Sequence, residues 1–174
     1  MYKLILINIW IIFLVFTINS NSFETGIVTG LPIPRYVTLK STEVKMRVGP
    51  GKKYQTSYIY QCINQPFKII AEFDNWRKVT DIDNTQGWIH QSLLSGVNYV
   101  IINNNKISIK KDLEKELLKN KSLIFKAPDE NSPPIIKVEF GTLARVIKCE
   151  SEWCKVRIEK YNGWIRKINI WGVN

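Results

Sequence analysis

The chain has 174 residues, 45% of them hydrophobic, and a formal net charge of +10 at neutral pH. This length allows one or two domains. One histidine and three cysteines give no metal-ligand spacing, so the composition excludes the common metal sites and we expect no metal and no cofactor. A strongly basic protein favours anionic partners such as phospholipid head groups, envelope sugars, wall polymers or nucleic acid.

The first 22 residues have the pattern of a signal peptide. A charged start is followed by the apolar run 4–16, which has one polar residue, and then by small polar residues. The run is short for a bilayer span, which needs about 20 apolar residues. We therefore expect an export signal cleaved after Ser22, or after Ser20, and a periplasmic or secreted protein with a charge of +9. The alternative is an uncleaved membrane anchor.

The first predicted β unit begins after a flexible arm. Residues 23–35 contain two glycines and two prolines and are predicted to form this extended arm. Residues 44–47 alternate between apolar and charged side chains, which is the period of a half-buried strand. Gly49-Pro50-Gly51 then turns the chain, because proline fixes φ and glycine allows positive φ.

A β-hairpin is predicted next. Residues 67–73 form its first strand, Asp74-Asn75 its turn and residues 76–81 its second strand. Residues 86–90 form the strand that completes the unit. Residues 98–121 are predicted to connect this unit to the last third of the chain, with a short amphipathic helix over positions 111–120.

The same plan recurs in the last third of the chain. The proline-to-tryptophan interval is 26 positions in the first copy and 25 in the second, and the interval from that tryptophan to the next Gly-Trp pair is 11 and then 10. The corresponding features are Pro50 and Pro128, residues 67–73 and 144–150, Trp76 and Trp153, and Gly87-Trp88 and Gly163-Trp164. Matched intervals indicate duplication. Short, regularly spaced strands without a long helix predict an all-β protein of two small β-barrels in tandem.

The cysteines of the second copy lie on either side of a predicted hairpin turn. Cys149 and Cys154 would oppose each other, where Cα atoms are about 4.5–5.5 Å apart, within the range that a disulfide accepts. We therefore predict a Cys149–Cys154 disulfide, with free thiols as the alternative. The matching residues in the first copy are Glu72 and Arg77, which could form an ion pair instead. Cys62 is predicted to be an inert buried thiol.

Five residues are candidates for ligand binding. Because the apolar residues of its strand face the core, Trp153 should face away from it, and Trp76 holds the equivalent position. An outward tryptophan offers a large flat area with few rotamers; the alternative is that each covers the end of its barrel or the seam between barrels. Arg47 could reach a ligand carboxylate or brace the adjacent turn. With Tyr54 and Tyr58, Arg47 and Trp76 would line a first site, and Trp153 a second.

The sequence gives no indication of catalysis. His90 is the only histidine, and a catalytic histidine needs a nucleophile or an orienting acid nearby. No such constellation is visible, so we predict a structural or hydrogen-bonding role for His90 and a protein that is not an enzyme. Trp88 and Trp164 follow a glycine inside a strand and are predicted to pack in the core or at its rim.

Three motifs resemble the bacterial SH3-like (SH3b) domains of exported proteins. They are VKMRVGPG at 44–51, AEFDNWR at 71–77 and GWIHQSLLSG at 87–96. The hairpin around Cys149 and Cys154 is similar to the second repeat of tandem members. The resemblance implies two small SH3-like barrels and a role at the bacterial envelope. Some SH3b domains bind peptidoglycan or its peptides.

The expected layout is a signal peptide (1–22), a flexible arm (23–35), a first barrel (36–97), a connecting segment (98–121) and a second barrel (122–174). We expect a non-catalytic envelope module that binds peptidoglycan or its peptides. The alternative is a periplasmic interaction or scaffold module that recognises an extended peptide or a partner protein. No nucleic acid is expected, because the densest lysine group is interleaved with acidic residues. Membrane contact is expected only through an uncleaved signal segment.

Overall fold

A computed structural model describes residues 24–103 and 121–174. The predicted signal peptide and the helix predicted over positions 111–120 lie outside the described residues. Almost all regular structure in the described ranges is β-strand. Within these ranges, no helix has the length and apolar character needed to cross a bilayer.

Sixteen strands and two single-turn 3₁₀ helices follow one another in the described part of the chain. In chain order the strands are β1 Glu24–Thr25, β2 Pro32–Ile33, β3 Arg35–Leu39, β4 Val44–Arg47, β5 Thr56–Tyr60, β6 Pro66–Phe73, β7 Trp76–Thr80, β8 Gln86–His90, β9 Leu94–Ser95, β10 Tyr99–Ile102, β11 Lys121–Phe125, β12 Pro134–Glu139, β13 Leu143–Glu150, β14 Trp153–Ile158, β15 Tyr161–Arg166 and β16 Ile170–Trp171. The 3₁₀ turns are Gln91–Leu93 and Lys167–Asn169.

Two seven-stranded antiparallel sheets have the same topology. The order is β5-β4-β8-β7-β6-β3-β9 in the first sheet and β12-β11-β15-β14-β13-β10-β16 in the second. These orders correspond strand by strand, which confirms the predicted tandem repeat. Strand β10, inside the segment expected to be a connection, is the counterpart of β3 and belongs to the second sheet. Strands β1 and β2 form a separate ribbon.

Neither sheet closes into the barrel that the sequence predicted. In the described part of the first sheet, the end strands β5 and β9 do not pair with each other. Both nevertheless contact the same core, because Tyr60 of β5 and Leu94 of β9 pack against one buried cluster. The sheet therefore curls around its core and stays open, and β9, with two residues, is too short to seal the gap.

Each sheet encloses its own hydrophobic core. The first core contains Val37, Leu39, Val44, Met46, Phe67, Ile69, Val79 and Ile89. The second contains Val100, Ile102, Ile124, Val138, Ala144, Cys154, Val156, Ile158, Ile165 and Ile170. Full burial of one large aliphatic or aromatic side chain contributes about 1.5–3 kcal/mol, so each sheet has its own source of stability.

A β-bulge at the same place in each copy changes which side chains face the core. Strict alternation predicts that Ile147 shares the inner face with Cys149. A bulge between Val146 and Lys148 leaves Ile147 unpaired and 46% exposed, while Val146 packs against the core. The first copy has the equivalent bulge at Ile70. The prediction for Ile147 was wrong because an inserted residue reverses the parity of the strand.

The two sheets are joined by a short segment that is bound to both of them. Only residues 96–98 lie between β9 and β10. Thr38 of the first sheet donates a hydrogen bond from Oγ1 to the carbonyl oxygen of Val97 at 2.9 Å. The next carbonyl oxygen, of Asn98, accepts from the backbone N–H of Val146 in the second sheet at 2.9 Å. The rings of Tyr36 and Trp171 also meet edge to face across this junction, with centroids 5.2 Å apart.

The segment expected to be a flexible arm is held by a buried carboxylate. Glu72 accepts hydrogen bonds from the backbone N–H groups of Val28 and Thr29, at 3.1 and 2.9 Å, and from the Thr29 hydroxyl at 2.7 Å. Arg35 Nη2 lies 2.6 Å from Glu72 Oε1, and Arg77 Nε lies 3.6 Å from the same oxygen. Burial alone would raise the pKa of Glu72, but the hydrogen bonds from Thr29, Arg35 and Val28 lower this pKa to about 2.

The hairpin position of Cys149 and Cys154 in the second sheet is held by Glu72 and Arg77 in the first, and each pair is directly opposed. Cys149 and Cys154 are directly paired across β13 and β14 and form the predicted disulfide, with Cα atoms 4.0 Å apart. Glu72 and Arg77 are directly paired across β6 and β7 and form the expected ion pair, which is buried. Cys62 is a free thiol, but the prediction that it is buried was wrong, because it lies exposed in the loop after β5.

We predict that Glu72→Gln destabilises the first sheet by about 3 kcal/mol, because it leaves buried cationic partners without their carboxylate. The folded pKa of Glu72 is depressed, so its contribution is present above pH 4.5 and is lost as the pH falls towards 2. Urea denaturation between pH 2 and 7 should therefore show a weaker acid dependence in the variant. Glu139→Gln, in an exposed pair with Lys121, is the control and should change little. Equal acid dependence in the wild type and Glu72→Gln would contradict the prediction.

We predict that Cys149→Ser together with Cys154→Ser lowers the stability of the second sheet by about 2 kcal/mol, since the disulfide closes a short loop. Hydrogen exchange should accelerate in β13 and β14 and stay unchanged in the first sheet. Cys62→Ser removes an exposed thiol and serves as the control. Thiol titration of the unreduced, unfolded wild type should find one reactive group, and a value of three would contradict the assignment.

Candidate functional site

The outer face of the first sheet forms an open groove of about 420 Å³. Strand alternation directs Val44 and Met46 into the core, so Lys45 and Arg47 of the same strand face outward. Register brings two neighbours to this face, because Trp76 lies directly opposite His90 in the adjacent strand. The residues that give the groove its chemistry are Glu43, Lys45, Arg47, Lys52, Trp76 and His90.

Trp76 forms an aromatic wall of the groove. It lies outside the core cluster, as the parity of its strand predicts, but it is only 9% exposed. Its ring meets the His90 ring edge to face, with centroids 5.3 Å apart. Trp76 therefore packs against His90 at the groove and does not project into solvent.

His90 is oriented by the 3₁₀ turn that comes after it. The backbone N–H of Ser92 donates to Nδ1 of His90 at 3.3 Å, and the Ser92 hydroxyl lies 2.8 Å from the same nitrogen. In the neutral ring this assigns the proton to Nε2, which becomes available as a donor. These contacts agree with the hydrogen-bonding role predicted for His90. His90 also lines the groove, which the sequence did not indicate.

The groove carries an excess of positive charge. Lys45, Arg47 and Lys52 are opposed by one carboxylate, Glu43, whose Oε1 lies 3.8 Å from Lys45 Nζ. An exposed ion pair of this kind contributes about 0–1 kcal/mol, so Lys45 is available to a ligand. Arg47 donates from Nη1 to the carbonyl oxygen of Tyr54 at 2.7 Å and so braces the turn, which was one of its two expected roles.

The two candidate tyrosines do not line this groove. The ring of Tyr54 covers Gly49, where an added Cβ would lie 2.5 Å from it, and Lys53 Nζ sits 5.5 Å from the ring centre. Tyr58 is 54% exposed and lies opposite Met46, whose side chain points into the core. Tyr58 therefore lies on the inner face of the sheet, on the opposite side from the groove. Of the five candidate residues, only Arg47 and Trp76 line the groove.

The equivalent surface of the second copy has different chemistry. Phe125 takes the position of Arg47, because each lies opposite the tryptophan of its Gly-Trp pair. Arg166 takes the position of His90, because each lies opposite the hairpin tryptophan of its own sheet.

These second-copy side chains contact one another. The rings of Phe125 and Trp153 meet edge to face, with centroids 5.8 Å apart. Arg166 Nη1 lies 2.8 Å from Glu130 Oε1. A ligand approaching Trp153 would therefore compete with contacts that the domain already makes, whereas Lys45 and Lys52 of the first copy face open space in the groove.

Sequence reasoning did not name four of these groove residues as binding candidates: Glu43, Lys45, Lys52 and His90. Lys45 follows from the alternation that places Arg47 outside, so its signal was present. Lys52 lies in the turn after strand β4 and His90 in strand β8, and their approach to Trp76 depends on strand register.

Trp88 and Trp164 lie outside both core clusters and pack on the outer faces of the sheets. Within residues 24–103 and 121–174 there is no group of three or more His, Cys, Asp or Glu side chains that could hold a metal ion.

Comparison with protein families identifies both repeats. The bacterial SH3 domain family matches residues 40–96 and 119–172, which together make up more than half of the chain. The chain therefore belongs to the bacterial SH3 domain family and contains two copies of its domain, as the sequence motifs predicted. A comparison with curated proteins finds no match.

Solved structures show distant similarity. NlpC2 from Trichomonas vaginalis aligns at 13% identity with a TM-score of 0.33, covering 79% of this chain and 48% of that one. An NlpC/P60 family protein from Bacillus cereus aligns at 9% identity with a TM-score of 0.32, covering 78% of this chain and 55% of that one. The chain thus spans about half the length of these structures. Similarity at this level carries no inference about activity.

We predict that Gly87→Ala disturbs the groove and costs about 1–3 kcal/mol of stability. An added Cβ would lie 2.5 Å from Met46 Cγ and 2.9 Å from the carbonyl oxygen of Arg47, so strand β4 must move. Gly96→Ala is the matched control, since no atom lies within 4 Å of the position that its added methyl group would take. Thermal denaturation should separate the two variants, and equal melting temperatures would show that the strands do not approach this closely.

Proposed function

We propose that this protein is a non-catalytic binding module of the bacterial cell envelope that holds a peptidoglycan stem peptide in the groove of its first domain. The observation that carries this proposal is the combination of Trp76 with Lys45, Arg47 and Lys52 around one open groove. An aromatic wall provides apolar contact, and three cations provide partners for carboxylates.

The size and charge of the groove suit a short anionic peptide. Its volume of about 420 Å³ falls within the range of typical small-ligand sites. Stem peptides are short and carry free carboxylates, which complement the excess of lysine and arginine. His90 also lines the groove, and with its proton on Nε2 it would add a hydrogen-bond donor.

The disulfide and the family support an extracytoplasmic location. Disulfides persist in oxidising compartments and are rare in the bacterial cytosol, and Cys149–Cys154 is present here. We propose that residues 1–22 act as a cleaved signal peptide and that the mature protein works in the periplasm or outside the cell.

The two copies are proposed to have unequal roles. The position of Arg47 is taken by Phe125 in the second copy, and Arg166 is already paired with Glu130. We therefore assign stem-peptide binding to the first copy. Trp153, which its sequence position suggested for a second site of the same kind, is proposed to stabilise its own domain through Phe125.

An edge strand favours a second candidate function, the recognition of an extended peptide from a partner protein. Strand β5 has a neighbour on one side only, and Tyr58 and Ile59 in it are each 54% exposed. Its counterpart β12 carries Pro134 and Lys137, which discourage strand pairing, whereas β5 has neither proline nor charge. A partner strand could therefore add to β5 by β-augmentation.

We predict that the protein sediments with purified peptidoglycan sacculi and that Trp76→Ala weakens this binding about 30-fold, as the loss of a central aromatic contact does. Lys45→Glu with Lys52→Glu should weaken it as well, and because both residues are exposed we expect the variant to fold. Trp153→Ala should bind like the wild type. The measurement is the bound fraction as a function of sacculus concentration.

Matched variants separate a specific groove from general charge attraction. Lys126→Glu with Lys160→Glu makes the same change of net charge on exposed residues of the second copy and should leave sacculus binding intact. An equal loss of sacculus binding in both double variants would show that binding depends on net charge and not on the groove. No sedimentation of the wild type at low salt would refute wall binding and favour the edge-strand function. Release of soluble muropeptides during the incubation would refute the non-catalytic assignment.

A further inference from the structure

The outer face of the second sheet contains like charges in direct opposition. Arg145 lies opposite Arg157, and Lys148 lies opposite Lys155, across strands β13 and β14. Directly opposed residues in an antiparallel pair have Cα atoms about 4.5–5.5 Å apart, and like charges at such positions are destabilising. We call these four residues the basic face.

The first sheet shows that the fold does not need this arrangement. At the equivalent positions of strands β6 and β7, Lys68 lies opposite Thr80, and Ala71 lies opposite Lys78. Each pair in the first copy therefore has one cation facing a neutral residue. The second copy has the same strand pairing and the same bulge but two cations in each pair.

Among the described residues, one of the four cations of the basic face has an acidic partner. Lys148 Nζ contacts Glu150 Oε1 at 2.5 Å and lies 5.3 Å from the centre of the Trp164 ring. Arg157 donates from Nε to the side-chain oxygen of Asn162 at 2.9 Å. In residues 24–103 and 121–174, the other three cations of the basic face form no ion pair with a carboxylate.

We infer that the basic face binds a linear phosphodiester polymer of the cell envelope. Four cations on two adjacent strands form an array about 5 Å wide and about 7 Å long, which can contact successive phosphates of one chain. The guanidinium groups of Arg145 and Arg157 can bind a phosphate through two parallel hydrogen bonds. Bound phosphates would also remove the repulsion within each pair.

A polymer suits this face better than a lipid bilayer. Binding at a membrane surface normally places apolar side chains into the acyl boundary. Trp164, the aromatic residue opposite Lys155, is only 8% exposed and lies beneath Lys148. It therefore supports the cations from below and does not project towards a membrane.

The test compares two double variants that lose the same charge. Lys155→Gln with Arg157→Gln alters the basic face, and Lys68→Gln with Lys78→Gln is the control at the equivalent strands of the first sheet. The probe is poly(glycerol phosphate), with Kd measured by titration calorimetry at several salt concentrations. We expect the basic-face variant to bind about 25-fold more weakly, about fivefold per cation, and to reduce the salt slope by about two. The control should retain wild-type affinity.

Several results would overturn the inference. They are an equal loss in the control variant, no binding of the wild type to poly(glycerol phosphate), or tighter binding to phosphatidylglycerol vesicles or to a single-stranded DNA oligonucleotide. The melting temperature gives an independent readout. Because the variant relieves both repulsive pairs, Lys155→Gln with Arg157→Gln should melt at or above the wild-type temperature, and a lower value would show that these cations serve the fold instead.

Discussion

The close approach of two strands at a glycine is the constraint on which both domains depend. At Gly87 an added Cβ would lie 2.9 Å from the carbonyl oxygen of Arg47, and at Gly163 it would lie 2.7 Å from that of Phe125. Only glycine permits this contact, which lets the sheet curl around its core while the next residue, a tryptophan, stays on the outer face. The geometry that shapes the core thus also positions the side chains available to a ligand.

The two copies share one strand order and one bulge, but they differ in the residues that join the hairpin strands and in those on the outer face. Where the first copy joins β6 to β7 with the buried pair Glu72 and Arg77, the second uses the covalent bond between Cys149 and Cys154. Because a carboxylate accepts several hydrogen bonds, Glu72 also binds the chain that precedes the first sheet. A disulfide has no such capacity, so duplication yielded domains with one topology and different attachments.

Much of the fold follows from local sequence rules, and the site follows only in part. Alternation in Val44–Arg47 and the turn between Cys149 and Cys154 determine which residues face inward and which oppose each other. The bulge at Ile147 cannot be recognised from the alternation of apolar and polar residues, because that pattern does not show which residue is unpaired. Lys52 reaches the groove through register across several strands, which depends on turn lengths and packing in three dimensions and not on any local pattern.

The segment between the sheets would hold the two proposed binding surfaces at one separation. Val97 is bound to the first sheet and Asn98 to the second, so there is no free linker between them. When two weak binding surfaces are held at a fixed separation, engagement of one raises the effective concentration of the other. Avidity then depends on whether the two ligands occur at a matching spacing, so the protein would discriminate between envelopes by their architecture as well as by their chemical composition.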